Sequence, residues 1–398
     1  MTLAQRWSRL TAGGPQRLSV TLGVFLAGFF LLPSSKSLNN VYYALVLAPA
    51  LLLLRGADWR WLATSTLWRL AMLLLVYLTL SGLWSAEFRL QNWLHEAKAL
   101  PYLAVYLAVL ACVCARRPEY WERLLRATAL AATVGTVASA VLFYGKAPWG
   151  ARLEYYGAVY QPIAAATAAG SCLLLVLLHI LPAAQGRARR GLWLICALVL
   201  LGGVVLTGSR TPLAAVVVCA GLGLALRRQW RLLGATALGA ALVVGGLLAS
   251  GDGARQALAR GDSYRLAIWQ HFATRVAAHP WLGEGLLNDD TVRLAAPAES
   301  NALTILHPHN AYLATALYGG LPALALLLGL VGLALRQGWQ LAARGEPVWL
   351  LMLLFALLCM LTDGDRLLHA PRAIWFYFWL PIGVLIGRQA QPGQRHRG

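Results

Sequence analysis

Charge is what this 398-residue chain has least of. Asp, Glu, Lys and Arg make up 12% of it, about half the share of a soluble domain, which excludes a water-exposed globular surface. Acids are the scarcer sign: 15 Asp and Glu stand against 34 Lys and Arg, a formal net charge of +19. Cysteine is sparse too. Cys112, Cys114, Cys172, Cys196, Cys219 and Cys359 all lie inside apolar runs, which excludes an extracellular disulfide framework and a zinc-finger type of site. Internal repeats and low-complexity tracts are missing. What fills the chain instead is apolar: 59% hydrophobic residues and a mean hydropathy of +0.61.

The apolar residues come in runs of about 15 to 22, close to the ~20 that cross a bilayer as a helix. They fall at 18–33, 38–54, 67–84, 99–115, 124–144, 158–181, 191–207, 212–226, 232–250, 310–335, 347–362 and 372–388. The expectation is an all-α polytopic membrane protein of about twelve spans. Nine cover 1–250, a long external loop with short helices covers 251–309, and three more spans with a short tail cover 310–398. Arg6, Arg9 and Arg17 precede the first run, but Leu31-Leu32-Pro33-Ser34-Ser35 lacks a small-x-small cleavage site, so that helix reads as uncleaved. Twelve spans put both termini on one side. Placing them in the cytoplasm gathers most of the basic residues there, in clusters such as Arg116, Arg117, Arg123 and Arg126 or Arg187, Arg189 and Arg190, with only Asp58, Glu119, Glu122 and Glu346 as acids. That is the positive-inside pattern. The pI of 10.3 then reports topology and contact with anionic membrane lipids, and nucleic-acid binding is the wrong inference.

A few polar residues stand where a structural helix would not place them. In the long loop, Asp262-Ser263 offers an N-cap for a helix running to about Ala278, where His279-Pro280 stops it. Arg265 shares the apolar stripe of that helix with Trp269, Phe272 and Val276, so its guanidinium calls for an anionic partner unless it snorkels along the interface. Arg275 lies off the stripe and reads as solvated. Arg210 sits in Thr207-Gly208-Ser209-Arg210-Thr211-Pro212, between two spans with almost no loop, at the external boundary. A charge at that depth marks a functional site or a helix-end anchor. His309 opens the tenth span in the first helical turn, where the positive end of the helix dipole favours a neutral imidazole able to act as a general base; a capping histidine is the alternative. A metal reading of His307-x-His309 lacks a third ligand at any obvious spacing. Asp363-x-Asp365 reads as a helix-end acidic pair, with divalent-cation binding as the alternative. Two arginines and a histidine on the external face suit a reaction in which a diphosphate leaves while a hydroxyl attacks.

Three motifs in order, Thr207-Gly208-Ser209-Arg210-Thr211-Pro212, Arg265-x-x-x-Trp269 leading to His279-Pro280-Trp281-Leu282-Gly283-x-Gly285, and His307-Pro308-His309-Asn310-Ala311-Tyr312-Leu313, resemble the series found in the O-antigen ligase and O-antigen polymerase superfamily. They cover about residues 200–335. Arg152 near Tyr155, Tyr156 and Gly157 resembles the basic segment before the sixth span of that family, although Gln161-Pro162 replaces its usual Pro-Asn. The resemblance implies a GT-C-like glycosyltransferase of the bacterial inner membrane with a periplasmic site, working without metal or cofactor. The implied donor is an undecaprenyl-diphosphate-linked O-antigen. In the ligase branch, favoured by moderate length and a single large late loop, the acceptor is the lipid A-core oligosaccharide and the product is lipopolysaccharide. Carried over, Arg210 and Arg265 hold the donor diphosphate and His309 activates the acceptor hydroxyl, with inversion. Arg152, Tyr155, Tyr156, Asn310 and Tyr312 are further substrate-binding candidates. The alternatives are a polymerase or a protein O-oligosaccharyltransferase using the same donor. A transporter would carry its charges at mid-bilayer, whereas those here lie at span ends.

Overall fold

The computed structural model describes residues 14–234, 265–294, 303–305, 307–364 and 366–390. Every run expected to span falls on helix, apart from 232–250, of which 235–250 lie outside the described residues. In chain order the helices are α1 (Gly14–Leu31), α2 (Ser35–Leu53), α3 (Gly56–Ala63), α4 (Thr66–Trp84), α5 (Leu90–Ala97), α6 (Ala99–Arg116), α7 (Pro118–Tyr144), α8 (Pro162–Ala183), α9 (Arg187–Leu206) and α10 (Arg210–Leu226). Then follow α11 (Arg265–Ala278), α12 (Ala311–Ala343), α13 (Val348–Met360) and, after a π-helical turn at Trp375–Trp379, α14 (Leu380–Gln389). Among the described residues six helical segments are long and apolar enough to cross a membrane unaided, and a seventh counts if α2 and α3, bent by 94° at Leu54–Arg55, form one broken span. Shorter apolar helices cover the first run, at 16–31, and the runs of α10 and α13.

The helices pack as a bundle, α1 on α7, α6 on α14, α4 on α12, and α8 between α9, α10 and α13. Small residues set the closest approaches. On α14, Gly383 and Gly387 sit four apart, and a Cβ on Gly387 would lie 2.6 Å from the Ala111 carbonyl of α6. Apolar side chains such as Leu51, Val141 and Leu198 point outward and are about two-thirds exposed, as lipid-facing positions are and water-facing ones are not.

Two features depart from the expected pattern. The long connection holds a two-stranded antiparallel ribbon, β1 (Val292–Leu294) with β2 (Leu303–Ile305), Val292 opposite Ile305. Its β-branched and apolar residues suit a strand better than the short helices expected there. Second, α12 is broken at Gly320, at φ +68, just before Pro322. Segment 279–285 fills the break: the Leu317 and Tyr318 carbonyls accept from the Glu284 and Gly285 N–H groups at 2.7 and 3.0 Å, and the Leu321 N–H donates to the Pro280 carbonyl at 2.7 Å. A Cβ on Gly320 would collide with the Trp281 carbonyl. The His279-Pro280-Trp281-Leu282-Gly283 motif therefore repairs a helix that glycine and proline interrupt.

Contacts between segments sort to the two ends of the bundle. At one end Arg116 pairs with Asp58, Arg388 with Glu346 at 3.2 Å, and the Trp61 indole donates to the Ala390 carbonyl. These segments belong to the set expected on the cytoplasmic side. The other end carries the candidate site.

Candidate active site

Helix α12 starts where Asn310 caps it: its Oδ1 accepts from the Tyr312 and Leu313 N–H groups, each at 3.0 Å. The start falls later than the sequence suggested, so His309 lies just outside the first turn. Its backbone sits at φ +50, a left-handed conformation that is uncommon for a side-chain-bearing residue and concentrates at functional sites. The His309 N–H donates to His307 Nδ1 at 3.3 Å, and His309 Nδ1 lies 3.1 Å from Asp363 Oδ1. Asp363 follows the end of α13, and packing of α12 on α13 closes the 54-residue separation. An imidazole that donates from Nδ1 to a carboxylate presents Nε2 as a proton acceptor, the form a general base needs.

Arg265 is the first residue of α11. Its Nε donates to the Thr362 carbonyl at 3.0 Å, one residue before Asp363. Ile268 and Phe272 are buried and Trp269 and Val276 half-buried, so the expected apolar face does pack on protein. That ties the Arg265 guanidinium to the connection carrying Asp363. Arg275 is a correction: it is not solvated but doubly bonded to Glu284, with its guanidinium 5.3 Å from the Phe272 ring. Burial pushes the Glu284 carboxyl up, but hydrogen bonds from Arg275 and Asn288 outweigh it and hold the group below its ordinary value.

Arg210 is the exposed first residue of α10, after the turn made by Gly208 at φ +61. The contacts that join Arg265, Asp363 and His309 do not include it. It belongs to the same end of the bundle through the packing of α10 on α13. Arg152 braces that turn, Nε donating to the Thr207 carbonyl at 2.9 Å and Nη2 to Ser209 Oγ at 3.4 Å. Among the other candidates, the Tyr155 ring is buried between α7 and α9, its hydroxyl 3.0 Å from that of Thr136. The Tyr312 hydroxyl donates to the Leu357 carbonyl at 3.2 Å, bridging α12 to α13. These two and Asn310 build the scaffold, whereas Tyr156 remains half exposed.

Asp363 is the site residue that sequence reasoning passed over, because an acidic pair at a helix end looks ordinary until its neighbour is known; Asp365 lies outside the described residues. The same fold supplies the third ligand that the sequence did not offer His307 and His309. One ligand atom from each of His307, His309 and Asp363 lies within 4.8 Å of the others, a donor set able to hold a metal ion. A metal there would compete for the His309 and Asp363 atoms that already face each other.

A family model described as O-antigen ligase matches residues 195–328, the stretch holding Arg210, Arg265 and His309. Across 408 aligned positions the chain is 32% identical to an O-antigen ligase of Pseudomonas aeruginosa, covering 97% of this chain and 95% of that protein. The likeness thus extends over the N-terminal helices, where motifs are few, and over Asp363, which the family model leaves out. A histidine–carboxylate pair at one end of an apolar helical bundle, the motif series around it and a similarity that runs the length of the chain agree: this chain belongs to the O-antigen ligase family.

Proposed function

We propose that this chain transfers a glycan from undecaprenyl diphosphate to a hydroxyl of the lipid A-core oligosaccharide, at the periplasmic face of the bacterial inner membrane, by a single inverting displacement. The observation that carries the proposal is the His309–Asp363 pair with Arg265 held on the adjoining Thr362. His309 Nε2 takes the proton of the acceptor hydroxyl, and the oxygen attacks the anomeric carbon from the face opposite the diphosphate. The bond from that carbon to the diphosphate oxygen breaks, and the electron pair leaves with the diphosphate. Guanidinium groups of Arg265 and Arg210 offset the charge that develops there. Both substrates are amphiphiles, so the site opens sideways between helices.

The test is transfer by purified protein in detergent, from an undecaprenyl-diphosphate glycan to rough lipopolysaccharide, with EDTA present. His309→Ala is expected to lower the rate by about 10²–10⁴ while the protein still unfolds at the wild-type temperature. Elongation of the donor glycan without modification of lipopolysaccharide would make the chain a polymerase instead. The His307, His309 and Asp363 cluster favours a second reading, metal-assisted transfer. Loss of activity in EDTA and its return with a divalent cation would establish that reading.

A further inference from the structure

A cavity of about 660 Å³ opens beside the His309–Asp363 pair; Asp363 itself and His307, the neighbour of His309, line it. Ser35 and Asn39 from the start of α2, Tyr160 and Gln161 before α8, Asp363 and Gly364, and residues between Arg366 and Ile374 build its wall. Its size falls in the range of about 300–1,000 Å³ usual for small-molecule sites, and the mechanism above makes no use of it.

The lining decides what class of group fits. Arg366 reaches into the wall, where Asp290 at 3.8 Å and Glu96 at 3.9 Å offset its charge, and Arg372 is a second cation of the wall. A polyprenyl or acyl chain would strip water from polar groups and return no hydrogen bonds. A sugar returns them. Its hydroxyls suit the mixed donors and acceptors of Ser35, Asn39 and Gln161, and its ring face suits Tyr160, whose side chain is half exposed at the cavity. Asp290, another wall residue, is 6% exposed and takes the Tyr318 hydroxyl on Oδ2, while Oδ1 has no hydrogen-bond partner. An orphaned buried acceptor is the kind of group a ligand hydroxyl satisfies.

Position then separates acceptor from donor. In an inverting displacement the attacking hydroxyl and the leaving diphosphate lie on opposite sides of the anomeric carbon, and the base lies with the hydroxyl. The cavity borders the base pair, and neither Arg210 nor Arg265 is among its wall residues. We propose that this cavity is the acceptor-sugar subsite, with Tyr160 and Gln161 as specificity-determining residues, an assignment that rests on the ligase reading above.

Steady-state transfer measured separately against rough lipopolysaccharide and against the undecaprenyl-diphosphate glycan tests it. Tyr160→Ala and Gln161→Ala are each expected to raise KM for rough lipopolysaccharide about tenfold, with donor KM and kcat at saturating acceptor within about twofold of wild type. Tyr160→Phe, which keeps the ring, should restore acceptor KM. Core oligosaccharide freed from lipid A should inhibit the wild type competitively against rough lipopolysaccharide, a measurement that needs no variant to fold. A rise in donor KM instead, an unchanged acceptor KM in folded variants, or no competition by the free oligosaccharide overturns the subsite. Wild type that leaves rough lipopolysaccharide unmodified overturns the ligase reading itself.

Discussion

In the mechanism proposed above His309 and Asp363 act as a unit, because each supplies what the other lacks. A carboxylate that accepts the Nδ1 proton leaves Nε2 the lone pair that a general base needs. Asp363→Asn preserves size but can present its amide N–H to Nδ1, stabilising the wrong tautomer. Transfer is then expected to fall by about 10²-fold or more with KM for both substrates little changed, as single-turnover and steady-state assays would show. A normal rate in that variant would mean that the pair only shapes the loop. Arg265 poses a different question. Its Nε is occupied by the Thr362 carbonyl, which sets the direction of the planar fork. Lysine has a single ammonium and cannot hold the carbonyl and grip phosphate oxygens at once. Arg265→Lys should therefore be nearly as damaging as Arg265→Ala in donor binding, measured as donor KM.

At the scale of elements, the segment from α11 to the ribbon is a clamp on the broken helix α12. Trp281 and Pro280 press on Gly320, and the Arg275–Glu284 pair braces the clamp against α11. Because the folded-state pKa of Glu284 is lowered, the stability it adds is present above the unfolded carboxyl value of about 4.3 and is lost as pH falls through the folded value. Glu284→Gln should lower stability by about 1–3 kcal/mol at pH 7, and its deficit in Tm should shrink as the wild type is acidified below about pH 4. A deficit that persists unchanged at acid pH would show that packing, not charge, braces the clamp. Helix α11 itself was legible in the sequence through its stop at His279-Pro280 and its apolar stripe. The break in α12 was not, since Gly319-Gly320-Leu321-Pro322 inside a long apolar run shows a possible kink but not the distant segment that fills it.

For the whole molecule, the pattern of basic clusters predicts that the loop before α8 and the turn before α9 face opposite sides of the membrane. The native cysteines are all buried, so introduced ones can be read cleanly. A cysteine at exposed Trp149 should react with a membrane-impermeant maleimide once the outer membrane is opened, and one at Arg187 only after the inner membrane is lysed. The reverse labelling would invert the topology and move the site to the cytoplasm.

Composition and periodicity alone determined that this chain lives in a membrane, because apolar runs of bilayer length with charges at their ends have no other stable setting. They also marked Arg210, Arg265 and His309, since a polar group beside such runs is expensive enough to stand out singly. What only the tertiary structure decided is which groups meet. Asp363 became the partner of His309 across 54 residues, Arg275 that of Glu284 across the turn after α11, and Tyr155 a packing residue against α7, because one-dimensional spacing carries no record of which segments are neighbours.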